Sequence, residues 1–233
     1  MGAQWKTAGK IANAAARGKV FSKLTKDIIM AAKAGPDPNM NARLRAAVEA
    51  AKKQSLPRDN IERAIKKGAG LLDEPVNYET VVYEGFGPHR VPVIVECLTD
   101  NKNRTATNIR FLFKGGLGSS GSVSWDFQHV GIVEAAPPES GADAEEAAIE
   151  AGAQDFETDT DVGFRFFTEP TDLDAVSKAL TSRGWTVASM RIGWRAKSSM
   201  KVEDAAAKAE VVQFLAAIDE DDDVQHIYTN LEG

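Results

Sequence analysis

Residues 78–98, YETVVYEGFGPHRVPVIVECL, decide the fold because the hydrophobic period changes there from that of helices to that of strands. The pattern predicts strands over 78–84 and 91–98, joined by a turn at 85–90 that contains two glycines and a proline. The second strand, VPVIVECL, is apolar enough to be the central strand of a sheet.

The segment before this stretch has a helical period. Helices are predicted over 19–33, which ends at the breaker GPDP, over 41–54, and from Pro57 to the stop signal at Gly68. Each helix has apolar residues at three- and four-residue steps. The three helices are therefore expected to form a small bundle.

The chain after residue 98 alternates between strand and helix patterns. A polar loop, TDNKNRT, precedes a helix over 106–114, and a flexible connector, GGLGSSGS, precedes a strand over 123–127. The next elements follow the β-α-β-β-α-β order of a ferredoxin-like domain: strand 131–135, helix 142–151, strands 154–157 and 163–168, helix 171–183 and strand 186–192. A helix over 202–218 and a strand over 224–228 would complete the sheet that begins at Tyr78.

These elements predict an α+β fold with three domains. An N-terminal basic helical domain, a tail plus three helices, occupies residues 1–77. A discontinuous α/β domain occupies 78–130 and 196–233, and a ferredoxin-like α/β domain, 131–195, is inserted into it. The two α/β domains are therefore interleaved.

Composition excludes several classes of protein. The chain has 233 residues, 43% of them hydrophobic, and a single cysteine, so it is not a disulfide scaffold. Its apolar runs are far shorter than the roughly 20 residues of a membrane-spanning helix, and the N-terminus lacks the apolar core of a secretory signal. We expect a cytoplasmic protein without a membrane partner.

Charge is distributed unevenly along the chain. Residues 1–77 contain 15 basic and 7 acidic residues, 78–133 contain five of each, and 134–233 contain 8 basic and 22 acidic residues. The formal net charge of −6 therefore conceals a basic N-terminal segment. Such asymmetry indicates that a polyanion binds at the basic end.

Seven motifs, in order along the chain, resemble the YebC/PmpR family, including its YeeN branch: RGKVFSKLTKDIIMAAK, NARLRAAVEAAKK, LPRDNIERAIKKGAG, YEGFGP, VIVECLTDNKNRT, GSVSWDF and DEDDDVQHIYTNL. The resemblance implies a helical domain followed by two interleaved α/β domains. Bacterial members are described as probable DNA-binding transcriptional regulators. Mitochondrial relatives act as translational activators, and some bacterial members are tied to stalled ribosomes.

The sequence departs from the usual family pattern at two places. The start reads GAQWKTAGK and is less basic than the usual GHSKW followed by a Lys, His and Arg cluster. In the turn after YEGFGP, His89 and Arg90 replace two glycines.

The candidate nucleic-acid-binding residues are basic side chains of the N-terminal segment together with polar and aromatic residues of two loops. They are Lys6, Lys10, Arg17, Lys19, Lys23, Lys26, Arg43, Arg45, Lys52, Lys53, Arg58, Arg63, Lys66, Lys67, Phe86, Asn101, Asn103 and Arg104. The cations would neutralise phosphates, and a solvated helical surface is the alternative interpretation. The helix from Pro57, with Arg58, Asn60 and Arg63, could read bases as a recognition helix, but phosphate or shape recognition is the preferred hypothesis.

The loops TDNKNRT and YEGFGPHR each leave an end of adjacent strands, so they are predicted to face a common ligand. Asn101, Asn103 and Arg104 would donate hydrogen bonds, and Phe86 would stack on a base. Alternatively, Asp100 and Asn101 form a turn and cap the following helix.

Catalysis finds little support in the sequence, and a metabolic enzyme that uses the cleft between the two α/β domains is a distant third hypothesis. The three histidines are scattered, Cys97 is interpreted as a buried small hydrophobe, and no spacing indicates a metal site, a cofactor or a nucleophile. The acidic run at 219–223 is interpreted as a solvated turn that can also repel phosphates.

The sequence therefore predicts a non-enzymatic, nucleic-acid-binding regulator of gene expression, with DNA-binding transcriptional regulation as the first hypothesis. The alternative is a translation factor that binds ribosomal or messenger RNA or the ribosome. No oligomeric state follows from the sequence.

Overall fold

The computed structural model of the protein describes residues 14–72, 77–138, 141–159 and 162–232, with side chains from residue 18 onward. Within these ranges no helix is both long and apolar enough to cross a membrane. The helices are α1 (Ala14–Ala32), α2 (Ala42–Lys53), α3 (Arg58–Gly68), α4 (Lys102–Phe113), α5 (Ala144–Ala151), α6 (Leu173–Ser182) and α7 (Ala205–Asp219). The strands are β1 (Glu79–Phe86), β2 (Pro92–Thr99), β3 (Phe127–Ala136), β4 (Asp155–Asp159), β5 (Gly163–Thr168), β6 (Thr186–Ala196) and β7 (Val224–Thr229).

The described residues divide into two compact units. The first consists of 14–23, 77–128 and 194–232, and the second consists of 24–72, 129–138, 141–159 and 162–193. The predicted boundaries of the three domains stay a prediction, because a compact unit can contain more than one domain.

The first unit is built on an antiparallel three-stranded sheet in the order β1-β2-β7. As predicted, VPVIVECL lies in the central strand, and the last strand completes the sheet begun at β1. One face of β2 presents Val93, Val95 and Cys97 to a core that also contains residues of α4 and α7, such as Ile109 and Leu215. Cys97 is fully buried there, as expected of a small hydrophobe.

The second unit contains an antiparallel four-stranded sheet in the order β4-β5-β3-β6. The first and third strands of the β-α-β-β-α-β segment are central in this sheet, so the ferredoxin-like prediction is confirmed. Its core packs α5 and α6 on one face, with the Trp185 ring edge-on to Phe164 and Phe166.

Helices α2 and α3 and the second half of α1 also belong to the second unit. Asn41 caps α2 by accepting a hydrogen bond from the Leu44 backbone, and its amide donates to the Ala31 carbonyl 2.8 Å away, which ties α2 to α1. Buried Ile28, Leu44 and Ile61 contribute one apolar residue from each helix. The predicted α+β fold, with N-terminal helices before two antiparallel sheets, is confirmed.

Two predicted elements are wrong at their boundaries. The strand predicted at 123–127 is a 3-10 turn at Ser124–Asp126, and the strand β3 begins only at Phe127. The loop TDNKNRT is short, because α4 begins at Lys102 rather than at residue 106. Asn101 accepts a hydrogen bond from the Arg104 backbone and so starts this helix earlier than its apolar residues indicate.

Helices α1 and α3 approach so closely at Gly68 that a Cβ there would lie 2.2 Å from the Ile29 carbonyl oxygen. We expect Gly68→Ala to lower the free energy of unfolding by about 1–3 kcal/mol, because the helices must separate to admit the methyl group. Urea denaturation followed by circular dichroism measures the change.

Gly18→Ala is the matched control, since Gly18 lies in α1 with open space where its Cβ would be. This substitution should stabilise the helix by about 0.5–1 kcal/mol. Equal effects of the two substitutions would contradict the close approach at Gly68.

Candidate nucleic-acid interface

The helices α2 and α3 together contain eight basic and three acidic residues. Their sequences, ARLRAAVEAAKK and RDNIERAIKKG, place Lys52 and Lys53 in the last turn of α2 and Lys66 and Lys67 in the last turn of α3. A cation in the last turn is favourable because it lies near the partial negative charge of the helix C-terminus. The apolar faces of both helices are buried, so most of the cations point into solvent.

Some predicted binding residues already have protein partners. Lys52 pairs with Glu49, Arg58 pairs with Glu62, and Lys23, in the first unit, binds Asp219 at 2.8 Å. Lys26 is a buried residue of α1, and Lys19 is half-buried. Lys6 and Lys10 lie outside the described residues, as does the side chain of Arg17.

Six of the predicted binding cations lie on α2 and α3 and remain unpaired within the described residues. None of them has a hydrogen bond or an ion pair with another described residue, and all but the last are exposed: Arg43, Arg45, Lys53, Arg63, Lys66 and Lys67. An exposed and unpaired cation can neutralise a phosphate without first breaking an internal ion pair. These residues define the basic surface.

The geometry of α3 bears on base reading. Four residues separate α2 from α3, and Ser55 among them has a φ of 61°. Arg58 and Asn60 are exposed at the start of α3, but the Nε atom of Arg58 donates to Glu62 at 2.8 Å. Part of the guanidinium fork that would contact a guanine edge is therefore occupied.

The loops TDNKNRT and YEGFGPHR lie at opposite ends of the sheet in the first unit. Strand β1 pairs antiparallel with β2, with Phe86 opposite Pro92 at one end and Glu79 opposite Thr99 at the other. An eight-residue strand spans roughly 25 Å at about 3.3 Å per residue. The prediction that Phe86 faces the same ligand as Asn101, Asn103 and Arg104 is wrong. Because β2 runs antiparallel to β1, the loop TDNKNRT lies beside the start of β1, whereas Phe86 lies at its end.

At the Thr99 end, the predicted ligand residues build the local structure. Asn101 caps α4, while Asn103 is exposed in its first turn. The guanidinium of Arg104 binds Asp223 at 2.8 Å and Asp100 at 3.0 Å. The hydrogen bond to Asp223 is the main reason that the pKa of Arg104 is raised. The capping interpretation of this loop therefore describes Asn101.

The acidic run at 219–223 is not uniformly solvated, contrary to the sequence-based interpretation. Asp223 is only 5% exposed and accepts a hydrogen bond from Thr105 at 2.8 Å in addition to the Arg104 contact. Asp219 holds Lys23, and Asp221 accepts from Asn108. Asp219 thus ties the end of α7 to α1, while Asp221 and Asp223 tie the start of β7 to α4.

At the Phe86 end, the side chain of Phe86 is half-buried and the Arg90 guanidinium lies 5.6 Å from its ring centre. His89 and Arg90 both have positive φ angles, 56° and 59°. The imidazole of His89 contacts Glu210 at 2.9 Å. One face of Phe86 is thus covered by a cation of the same turn.

Sequence reasoning missed the residue that organises this end of the sheet. The carboxylate of Glu84, a residue only 6% exposed, accepts hydrogen bonds from the backbone N–H groups of Gly121, Val123 and Ser124 at 2.9–3.1 Å. The segment GGLGSSGS is therefore fastened to β1 and is not a flexible connector. The sequence does contain one sign of this contact: an acidic residue, Glu84, at the end of a predicted strand, and a glycine-rich segment whose backbone N–H groups need acceptors.

The hydrogen bond between Glu84 and Ser124 also fixes the turn that exposes Trp125, a second residue that the sequence did not single out. Trp125 is 67% exposed in the middle of the 3-10 turn Ser124–Asp126. The sequence predicts a strand over 123–127, and in a strand the Trp125 side chain would lie on one face of a sheet rather than in an exposed turn. The pattern GSVSWDF alone does not distinguish these two conformations.

Comparisons with known proteins match nearly the whole chain to one family. Residues 2–71 match the family described as "TACO1/YebC protein N-terminal domain", and residues 78–231 match "TACO1/YebC second and third domain". A "Probable transcriptional regulatory protein" of Pseudomonas syringae pv. tomato is 59% identical, with 100% of each chain covered. A similarly named protein of Bdellovibrio bacteriovorus is 51% identical over 99% of this chain and 100% of its own.

A solved structure has the same fold. The crystal structure of a conserved hypothetical protein from Aquifex aeolicus is 40% identical in sequence and superposes with a TM-score of 0.81. The match covers 96% of this chain and 93% of that chain.

The ionised form of Glu84 stabilises the first unit. Burial opposes its ionisation, but the backbone N–H donors outweigh burial and lower its pKa from the usual 4.5. We expect Glu84→Gln to cost about 2 kcal/mol at neutral pH, because a charge-assisted acceptor of several hydrogen bonds is lost. Denaturation of both proteins as a function of pH measures the difference.

Because the pKa is lowered on folding, this contribution is complete above the unfolded pKa and is lost as pH falls through the folded pKa. The difference between the two proteins should therefore stay constant from pH 7 to near pH 5 and shrink only at lower pH. The control is Glu203→Gln, an exposed glutamate with no partner among the described residues. A Glu84→Gln protein as stable as this control would contradict the assignment.

Proposed function

Because the chain belongs to the TACO1/YebC family, whose close bacterial relatives are named probable transcriptional regulatory proteins, we propose that it is a nucleic-acid-binding regulator of gene expression. We propose specifically that it binds DNA and regulates transcription in the cytoplasm. The observation that carries the proposal is the basic surface on α2 and α3, whose cations lack protein partners among the described residues.

The physical argument rests on counterion release. Each cation that neutralises a phosphate displaces condensed counterions, and this gain in entropy drives binding without reference to sequence. Cations already paired to a carboxylate, such as Arg104, gain less because their ion pair must be exchanged. The basic surface should therefore dominate affinity, and Arg104 should contribute little.

A translation factor that binds ribosomal or messenger RNA is the second candidate. The hydrogen bond from Arg58 to Glu62 favours this second candidate, because a guanidinium that is bound to Glu62 is poorly suited to read a base edge. Recognition of phosphates and helix shape, without base reading, is common in RNA binding. The two candidates share the basic surface and differ in the target.

We further propose that the protein is not an enzyme. His89 lies in the β1–β2 turn, His129 in β3 and His226 in β7, so the histidines occupy three separate elements. The only cysteine, Cys97, is buried in an apolar core. A nucleophile and its base must lie within hydrogen-bond reach of each other, and a cysteine in an apolar core is poorly placed to attack a substrate.

The basic surface makes a quantitative prediction about salt. If about six phosphates are contacted, the logarithm of the association constant for duplex DNA should fall with the logarithm of salt concentration with a slope near −5, at about −0.9 per contact. Replacing Arg43, Arg45, Lys53, Arg63, Lys66 and Lys67 with Gln should bring the slope close to zero. Fluorescence anisotropy titrations at several salt concentrations measure it.

The control replaces Lys178 and Lys208 with Gln. These cations lie on α6 and α7, outside the basic surface, so the slope should stay at the value of the unmodified protein. An unchanged slope in the α2–α3 variant, with folding intact by circular dichroism, would place the phosphate contacts elsewhere.

Crosslinking in cells separates the two candidate targets. If the protein regulates transcription, sequencing of the crosslinked nucleic acid should return discrete chromosomal sites, and the protein should not sediment with ribosomes. Enrichment of ribosomal RNA without chromosomal sites would reject transcription and support the translation factor.

A further inference from the structure

The geometry points to a second nucleic-acid contact, in the first unit, where Trp125 stacks on an unpaired base and Lys197 binds the adjoining phosphate. This inference rests on the proposed function and extends it to single-stranded nucleic acid. Neither residue is among the sequence-predicted candidates.

The turn that presents Trp125 is held from several directions. Ser124 donates its backbone N–H to Glu84, and the Asp126 backbone carbonyl accepts from the Lys197 N–H at 2.9 Å. The Asp126 carboxylate accepts from the Asn230 amide at 3.0 Å. A turn fixed by these contacts presents its central side chain in a single position, which reduces the entropy cost of binding.

The indole is oriented for contact through its ring rather than its N–H group. Its Nε1 atom donates to the Ser122 carbonyl at 3.0 Å, so the only donor of the side chain is already used. With 67% of the residue exposed, much of the ring is open to solvent. An exposed aromatic ring without a free donor suits stacking, which every base can provide.

A cation lies beside the backbone of Trp125. The ammonium group of Lys197 donates to the Trp125 carbonyl oxygen at 2.7 Å, and Lys197 has no carboxylate partner among the described residues. The adjacent acid, Asp126, accepts hydrogen bonds from Asn230 and Ser198. An exposed aromatic residue whose backbone binds a cation without a carboxylate partner supplies the two contacts that single strands use, base stacking and phosphate neutralisation.

The ligand is single-stranded because a base inside a duplex stacks on its neighbours and does not offer a free face. The turn with Phe86 and Arg90 lies at the same end of the sheet as Glu84, which fastens the loop before Trp125. Arg90 has no acceptor among the described residues and adds a second cation at this end. A protein surface as partner would not require these cations.

The test compares three probes of one sequence: single-stranded RNA, single-stranded DNA and duplex DNA. Trp125→Ala should weaken binding of both single strands about tenfold, the change that corresponds to about 1.4 kcal/mol of stacking. Binding of the duplex should be unchanged. Trp125→Phe should restore most of the single-strand affinity, because Phe keeps a ring while losing the N–H group that bonds to Ser122.

Circular dichroism and thermal unfolding of both variants establish that folding is retained. Equal single-strand affinity in Trp125→Ala and the unmodified protein would overturn the inference and leave the ring as a contact for a protein partner. Equal losses for the duplex and the single strands would also overturn it. The variant that neutralises the basic surface should lose all three probes. An unmodified protein that binds none of them would disprove the proposed function, whereas an unmodified protein that binds but is unaffected by Trp125→Ala would disprove only this inference.

Discussion

The antiparallel pairing of β1 with β2 is the constraint on which the first unit depends. It places Glu84 near one end of the sheet and Thr99 at the other, so each end needs its own means of holding the adjoining loop. Both ends use a buried carboxylate. Glu84 binds backbone N–H groups of the glycine-rich loop, and Asp223 binds Arg104 and Thr105 of α4. A buried carboxylate is stable only when its oxygens are paired, so each acid fixes the loop that supplies its donors.

The pairing also separates residues by role. Arg104 and Asn101 have the side chains of a nucleic-acid-binding loop, yet one completes an ion pair with Asp223 and the other caps α4. The cations of α2 and α3 outnumber the acids of those helices, so several have no partner among the described residues. The absence of a protein partner, rather than the type of side chain, distinguishes the basic surface from Arg104.

Most of the secondary structure could be predicted from the sequence because hydrophobic period and stop signals decide it. Pro57 and Gly68 bound α3, and VPVIVECL is central in its sheet. The errors arose where a side chain far away in sequence decides the local conformation. Ser124 lies in a turn because Glu84, 40 residues earlier, accepts its N–H, and no local pattern around Ser124 contains that information. The predicted common ligand of two loops is wrong for a different reason: β1 and β2 are antiparallel, so the two loops lie at opposite ends of the sheet.

The sheet of the first unit is built from distant parts of the chain, which affects how the protein folds during synthesis. Strand β2 pairs with β7, and Val95 lies opposite Ile227, so the central strand finds its second neighbour near the end of the chain. The ferredoxin-like segment is continuous between them and contains its own complete sheet. During synthesis, domains fold as units as they emerge. The ferredoxin-like segment can therefore be complete while the apolar strand β2 still has one unpaired edge, which leaves the chain open to edge-to-edge aggregation until β7 emerges.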